Sequence, residues 1–309
     1  MGGPQKQPYS HQQMENELSN GSDVLSRLTK KINKESKPTL VLHSLPGLGK
    51  TSLASCFPKP LFIGDSRDRG FADLVRSGQV NVELDPIEAA DWRSLMEVTK
   101  ALADPETPLE CETVVFENLG GFQLHLADHL IAQEVAKTGK DRGMITEKFH
   151  AWGGQGFRGG VSDFSDWFRT ACSIAERTNT EGKSVRVIFC GHSALVKDRN
   201  VTGLPGEEFH RVDIDLHHEF LKVVHRDASA IAWMRQRPLV VKSETGGVGK
   251  ALSDDIREIV LHASAQATAK NRWGIVDPVS MGVSAKHAYT NLVNAIVAAK
   301  KRTQTGEGK

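Results

Sequence analysis

The chain has 309 residues, 39% of them hydrophobic and 25% charged, a balance that excludes a fibrous or wholly disordered protein and fits a globular α/β one. Its net charge of +1 excludes a global field that would pull the whole molecule onto nucleic acid or a membrane, so any polyanion site must be local. Cys56, Cys111, Cys172 and Cys190 lie far apart with no C-x-x-C pair, which argues against a metal cluster and for reduced thiols in a cytoplasm. No apolar run approaches the ~18 residues of a membrane span.

Residues 1–20 are polar and Gln-rich and read as a disordered tail, residues 21–300 as the folded domain, and 301–309 as a basic tail. Within the domain "TLVLHS" (39–44), "KPLFIGD" (59–65), "ETVVFEN" (112–118) and "SVRVIFCGHS" (184–193) are buried-strand runs. Helical periodicity fills the gaps at 88–103, 121–137 and 162–178. Strands separated by helices predict a mostly parallel central sheet flanked by helices. "ASAIAWMRQ" (228–236), "PLVVK" (238–242) and "REIVLHAS" (257–264) predict an antiparallel C-terminal extension, and a final amphipathic helix is expected over about 284–300.

The first strand runs into "HSLPGLGKTS" (43–52), which nearly fits the phosphate-loop pattern G-x-x-x-x-G-K-S/T, with Ser44 in place of the first glycine. Gly47 and Gly49 let backbone N–H groups turn inward around a β-phosphate, and the start of the next helix adds partial positive charge. The expected ATP contacts are Ser44, Pro46, Gly47, Leu48, Gly49, Lys50, Thr51 and Ser52. Lys50 would reach the β- and γ-phosphates and face solvent before nucleotide arrives, and the Thr51 hydroxyl would hold Mg²⁺. A second Gly-Lys stretch, "ETGGVGKA" (244–251), lies between strand candidates and has Ala251 where a hydroxyl is needed, so it reads as a hairpin loop.

Hydrolysis needs more than the loop. Glu117 ends the third strand run, the usual place for a magnesium-side acid. Asp65 ends the second, expected beside the phosphate-loop strand, and is the first candidate for polarising water. Asp68 is the second, and surface solubility is the alternative for both. His192 at the tip of the fourth strand is placed to touch a γ-phosphate, or else is structural. "HRVDIDLHH" (210–218) carries metal-ligand residue types, but His217 and His218 would point to different faces, and a solvated helix start is the simpler reading.

"LVLHSLPGLGKTSLASCFPKPLFIGD", "VVFEN" and "VIFCGH" together resemble the RecA-like P-loop ATPases of phages, the short RecA-type and single-strand-annealing group, over about residues 38 to 300. "AKNRWG" (269–274) is similar to the KNRFG motif of the bacterial RadA recombination ATPases, with Trp273 in place of Phe. The chain departs from the family in "GDSRDRG", where an acidic Glu is common after the second strand, and in Glu117, where Asp is preferred. The resemblance implies a RecA-like fold and an ATPase forming a homo-oligomeric ring or filament with ATP at subunit interfaces. Lys270 and Arg272 would there reach a neighbour's nucleotide. It also implies single-stranded DNA as partner, in phage-type recombination or annealing, bound by loops at 138–160 and 194–210. In the first, Lys148 and Arg158 could follow the backbone while Trp152 and Phe157 stack on bases; the alternative is a loop that packs its own aromatics. The rival function is a nucleotide-switched assembly protein that never touches DNA.

Overall fold

The structure is a computed structural model and describes residues 37–80, 82–198, 209–241 and 250–305. Its strands are β1 (Leu40–Ser44), β2 (Pro60–Asp65), β3 (Ile87–Ala89), β4 (Thr113–Glu117), β5 (Arg186–Asp198), β6 (Phe209–Ile214), β7 (Ala230–Val241), β8 (Lys250–Val260) and β9 (Val279–Ser280). The α-helices are α1 (Lys50–Ala54), α2 (Arg69–Arg76), α3 (Trp92–Ala103), α4 (Leu119–Thr138), α5 (Arg142–Gly154), α6 (Val161–Ser173), α7 (His218–Asp227) and α8 (Ala285–Thr305).

The sheet runs β3-β2-β4-β5-β1-β7-β8-β9, with β6 paired to the outer part of β5. From β3 to β7 every pairing is parallel, and β8 and β9 extend the sheet antiparallel. This is the arrangement expected from the sequence, a mostly parallel sheet between helices with an antiparallel extension. It also corrects the expected neighbour of the phosphate-loop strand: β5 and β7 flank β1, while β2 stands two strands further out.

The central strands are buried on both faces, which is why they read as unbroken apolar runs. Period-two alternation divides them between two cores. Val41, Val114, Phe116, Val187 and Phe189 face a layer built by α3, α4, α6 and α7, where Trp167 sits among Phe116, Phe122, Phe164 and Phe168. Leu40, Leu42, Val115 and Ile188 face the other layer, with Leu53 of α1, Phe71 of α2 and Leu292 of α8.

Two stretches differ from expectation. Residues 142–154 form α5 rather than a loop, because Ile145 and Phe149 supply a face that buries against the first core. "HRVDIDLHH" is β6, a turn and the start of α7, with His217 as the N-cap. Asp213 in it is 1% exposed rather than solvated. It accepts hydrogen bonds from Thr268 Oγ1 (2.8 Å) and the Ile214 amide (2.8 Å), and His225 Nε2 lies 3.0 Å away. Burial alone would raise its pKa, but these partners hold it below the usual carboxylate range.

His43 joins this group from β1. It is fully buried, with Nε2 2.9 Å from the Thr268 carbonyl and Nδ1 3.0 Å from Ser193 Oγ. A carbonyl only accepts, so the neutral ring carries its proton on Nε2 and accepts from Ser193 at Nδ1. Burial pushes the imidazole pKa down from 6.5 to about 4, against the raising influence of the Thr268 carbonyl. Between those values the unfolded chain binds a proton that the folded one refuses, so stability is full above pH 6.5 and drains as pH falls toward 4. The loss should be on the order of 3 kcal/mol at its fullest. Urea unfolding across this range should show a shallower pH slope for His43→Gln than for the native chain.

Candidate functional site

Between β1 and α1 the chain turns on Gly47 (φ 80°) and Gly49 (φ 86°), left-handed conformations that a side chain would strain. Nothing lies within 4 Å of where a Cβ on Gly47 would stand, so its backbone is open to a ligand. The loop borders a cleft of about 370 Å³ whose walls include Lys50, Thr51, Asp68, Glu117 and His192. Pro46, Gly47, Gly49 and Ser52 line it as well, while Ser44 lies buried beneath and Leu48 is half-buried.

Sheet register explains the convergence. Ser44 on β1 pairs with His192 on β5, and Cys190 on β5 pairs with Glu117 on β4, so one intervening strand joins loop and acid. Lys50 is 5% exposed, against the expectation of a solvent-facing side chain. Its Nζ folds back to donate to Ser44 Oγ (3.0 Å) and the Ser44 carbonyl (3.3 Å), with His192 Nδ1 at 3.5 Å. The serine that breaks the motif therefore gives the lysine a resting partner that glycine lacks. Burial lowers the Lys50 pKa, partly offset by Cys190, Glu117 and Asp68.

Glu117 accepts from Thr51 Oγ1 at 3.2 Å. Its second oxygen, Oε2, is buried without a well-formed hydrogen bond among the described residues. Burial raises its pKa, and the Cys190 thiol, Lys50 and Thr51 offset only part of that. An acid desolvated beside a threonine hydroxyl is a fitting donor pair for a hard divalent cation whose remaining ligands are phosphate and water. Among the described residues no group of three or more His, Cys, Asp or Glu could hold a metal unaided.

The water-polarising candidate must be corrected. Asp65 Oδ1 accepts from the Arg67 amide (2.9 Å) and Nε (3.2 Å) and lies 2.8 Å from His125 Nε2. Its Oδ2 fills the space over Gly121, where a Cβ would stand 2.2 Å away. Asp65 thus pins α4 to the end of β2 and is already spoken for. Asp68 is the acid on the wall of the cleft, held by Gly70 N on Oδ1 and Asn118 Nδ2 on Oδ2, both at 2.8 Å. Asn118 also caps α4 through Gly121 N. Both residues carry cap signals readable in sequence, a polar side chain directly before a helix.

Residues 36–273 match the family described as an AAA domain. The chain belongs to this family. The site is accordingly that of an AAA-type P-loop ATPase domain. One solved structure, reported as a prototypical ATPase from the type III secretion system of pathogenic bacteria, shares 10% identity over 64% of this chain, with a TM-score of 0.36. This chain spans 52% of that one, about half its length. No curated protein matches the sequence. Among the described residues no helix is long and apolar enough to cross a membrane.

The AAA domain keeps "KNRWG" away from its own phosphate loop. Lys270 pairs through its backbone with Ile231, level with the start of β1, and its Nζ donates to the His225 carbonyl. Asn271 uses its whole amide, donating to the Leu261 (2.6 Å) and Ile275 (2.9 Å) carbonyls and accepting from the Trp273 and Ile275 amides. Trp273 is buried, and Gly274 turns the chain at φ 76°. Arg272 is left exposed in a cleft of about 570 Å³ with Lys37, Arg169 and Arg226, at the edge of the sheet where β1 begins.

The expected DNA-binding residues differ in exposure. Phe157 is buried, with its ring stacked on His217 (5.0 Å) and in contact with Phe149 (4.9 Å) and Phe220 (5.7 Å), so it cannot stack on a base. Lys148 and Arg158 are exposed. The Trp152 side chain, residues 199–208 and residues 244–249 of the expected hairpin loop lie outside the described residues, while Lys250 and Ala251 begin β8. Of the second expected loop, 194–198 and 209–210 belong instead to the paired strands β5 and β6.

If the cleft at the phosphate loop binds nucleotide, Lys50→Ala should lower magnesium-dependent ATP turnover by ~10²-fold or more. Its melting temperature should stay within a few degrees of the native chain, since the change leaves Ser44 and Glu117 in place. A magnesium-dependent phosphate-release assay and a thermal melt on the same preparation check both.

Proposed function

We propose that this AAA domain hydrolyses ATP with magnesium, as a cytoplasmic homo-oligomer, and that single-stranded DNA is its partner in phage-type recombination or annealing. The observation that carries the hydrolysis is the convergence of Lys50, Thr51, Glu117, Asp68 and His192 on one cleft. Loop amides and Lys50 would bind the phosphates, and Thr51 with Glu117 would hold magnesium, which when bound neutralises charge on the phosphate oxygens. Asp68, fixed at both oxygens but with lone pairs to spare, would orient the attacking water. His192 would exchange its contact with Lys50 for one with the γ-phosphate.

The role of Lys270 and Arg272 at a neighbour's ATP is part of the same proposal. Its support is that Arg272 makes no ion pair among the described residues, in a cleft where Arg169 and Arg226 are both paired with Asp227, while its neighbours Asn271 and Trp273 are locked in place. Lys270, anchored to His225, would act as a brace.

The DNA reading rests on the resemblance to phage RecA-like ATPases and on the exposed Lys148 and Arg158. The burial of Phe149 and Phe157 favours the second reading, a nucleotide-switched assembly protein, because it removes two of the three aromatics in that stretch from the surface. ATP turnover with and without single-stranded DNA at low salt separates them. Stimulation that fades as salt rises is the expected result. Turnover indifferent to DNA, together with no binding, would establish the assembly reading. For the trans cation, mixing Lys50→Ala chains with Arg272→Ala chains should recover activity that neither has alone.

A further inference from the structure

β7 and β8 do not stop where the phosphate loop leaves the sheet. His43 pairs with Trp233, and β7 then runs on through Met234, Arg235 and Gln236, with Arg257 of β8 opposite Gln236. Three residues of strand carry the ribbon about 10 Å beyond that pair, so it stands as a wall beside the loop.

The two faces of this wall carry different charge. On one, Glu258 lies 3.1 Å from Arg235 and 3.7 Å from Arg237, and Arg235 also donates to Gln266. On the other, Met234 and Ile259 pack in the same core as Leu53 and Ala54 of α1. Arg257 is directly across from Gln236 and two residues from Ile259, so alternation puts it on this second face, the face of α1. Its Nη1 lies 3.9 Å from where a Cβ on Gly49 would stand. Among the described residues its guanidinium has no ion pair or side-chain hydrogen bond, although it is only partly exposed. A half-buried cation held against the flank of a phosphate loop, with no carboxylate paired to it among the described residues, is a cation awaiting an anion.

We infer that Arg257 is a nucleotide-binding residue of its own chain, donating its guanidinium to the phosphate oxygens of the nucleotide in the loop. This rests on the nucleotide-site reading above. It supplies from a C-terminal strand, in cis, a phosphate contact distinct from Lys50 and from the trans role proposed for Arg272. Adding a fork of donors to the phosphates should favour nucleoside di- and triphosphates over the monophosphate.

Isothermal titration of the full chain with magnesium-ATP, magnesium-ADP and AMP tests this. Arg257→Ala should weaken ATP and ADP binding by about tenfold to a hundredfold and leave AMP less affected. Arg257→Lys, which keeps the charge but loses the fork, should fall between. Arg237→Ala, on the opposite face of the same ribbon, should bind as the native chain does, which controls for disturbance of the ribbon itself. Should Arg257→Ala fail to fold, Arg257→Gln, which keeps a long polar stem, decides by the same titration. Native affinity for ATP in a folded Arg257→Ala or Arg257→Gln chain, while Lys50→Ala loses it, would overturn the inference and leave the nucleotide site standing. A native chain that binds no ATP would overturn both.

Discussion

An ammonium group held out of water at the end of the central strand is the constraint on which this molecule turns. Lys50 reaches from the first residue of α1 back to Ser44, and both are buried. A buried cation is tolerable only with close oxygen partners and nearby negative charge. Ser44 supplies the first, and Glu117 and Asp68 supply the second. Those acids belong to β4 and to the turn after β2, so the lysine's comfort depends on a sheet order that sets β5 between β1 and β4. The strands on either side of β1 in turn need apolar cover on both faces. The aromatic layer around Trp167 and the α8 layer are thus the remote support of one side chain.

Behind the loop lies a second polar system, unusual in so apolar a region. His43 precedes Ser44 directly and is tied to Thr268, Thr268 to Asp213, and Asp213 to His225, whose carbonyl receives Lys270. Each member is satisfied by the next, which is the condition for a buried network to specify structure rather than weaken it. It fixes where "KNRWG" lies relative to the strand that carries the phosphate loop, although about 225 residues separate them, as the spacing of His43 and Thr268 shows.

Much of this was legible from sequence for a simple reason. β1, β2, β4 and β5 are covered on both sides, so their apolar runs are unbroken, and glycines with positive φ announce the phosphate loop. Glu117 could be read as a strand end because the apolar run before it is unbroken, although β5 stands between β4 and the phosphate-loop strand. What failed depended on partners distant in sequence. Asp65 looked available until His125 of α4 closed on it. The glycine-rich run 142–160 looked like a loop because its composition is permissive, while the contacts that order it come from His217 and Phe220. Asp213 looked like a surface acid because His225 and Thr268 lie outside its own stretch. Arg257 belongs to no motif, and only the antiparallel register of β7 and β8 brings it to Gly49.

The phosphate loop and the Arg272 cleft sit at opposite edges of one sheet, at the two ends of β1. That polarity has a consequence for symmetry. A two-fold axis that brought one edge to the other would have to make the contact twice at once, loop to cleft and cleft to loop, which edges facing opposite ways resist. A contact made only once per pair would be heterologous, leaving one edge of each kind unused at the ends of any open stack. Whether such a series closes would then be decided by the rotation each copy adds to the last, a property of the angle between the two edges rather than of any single residue at either.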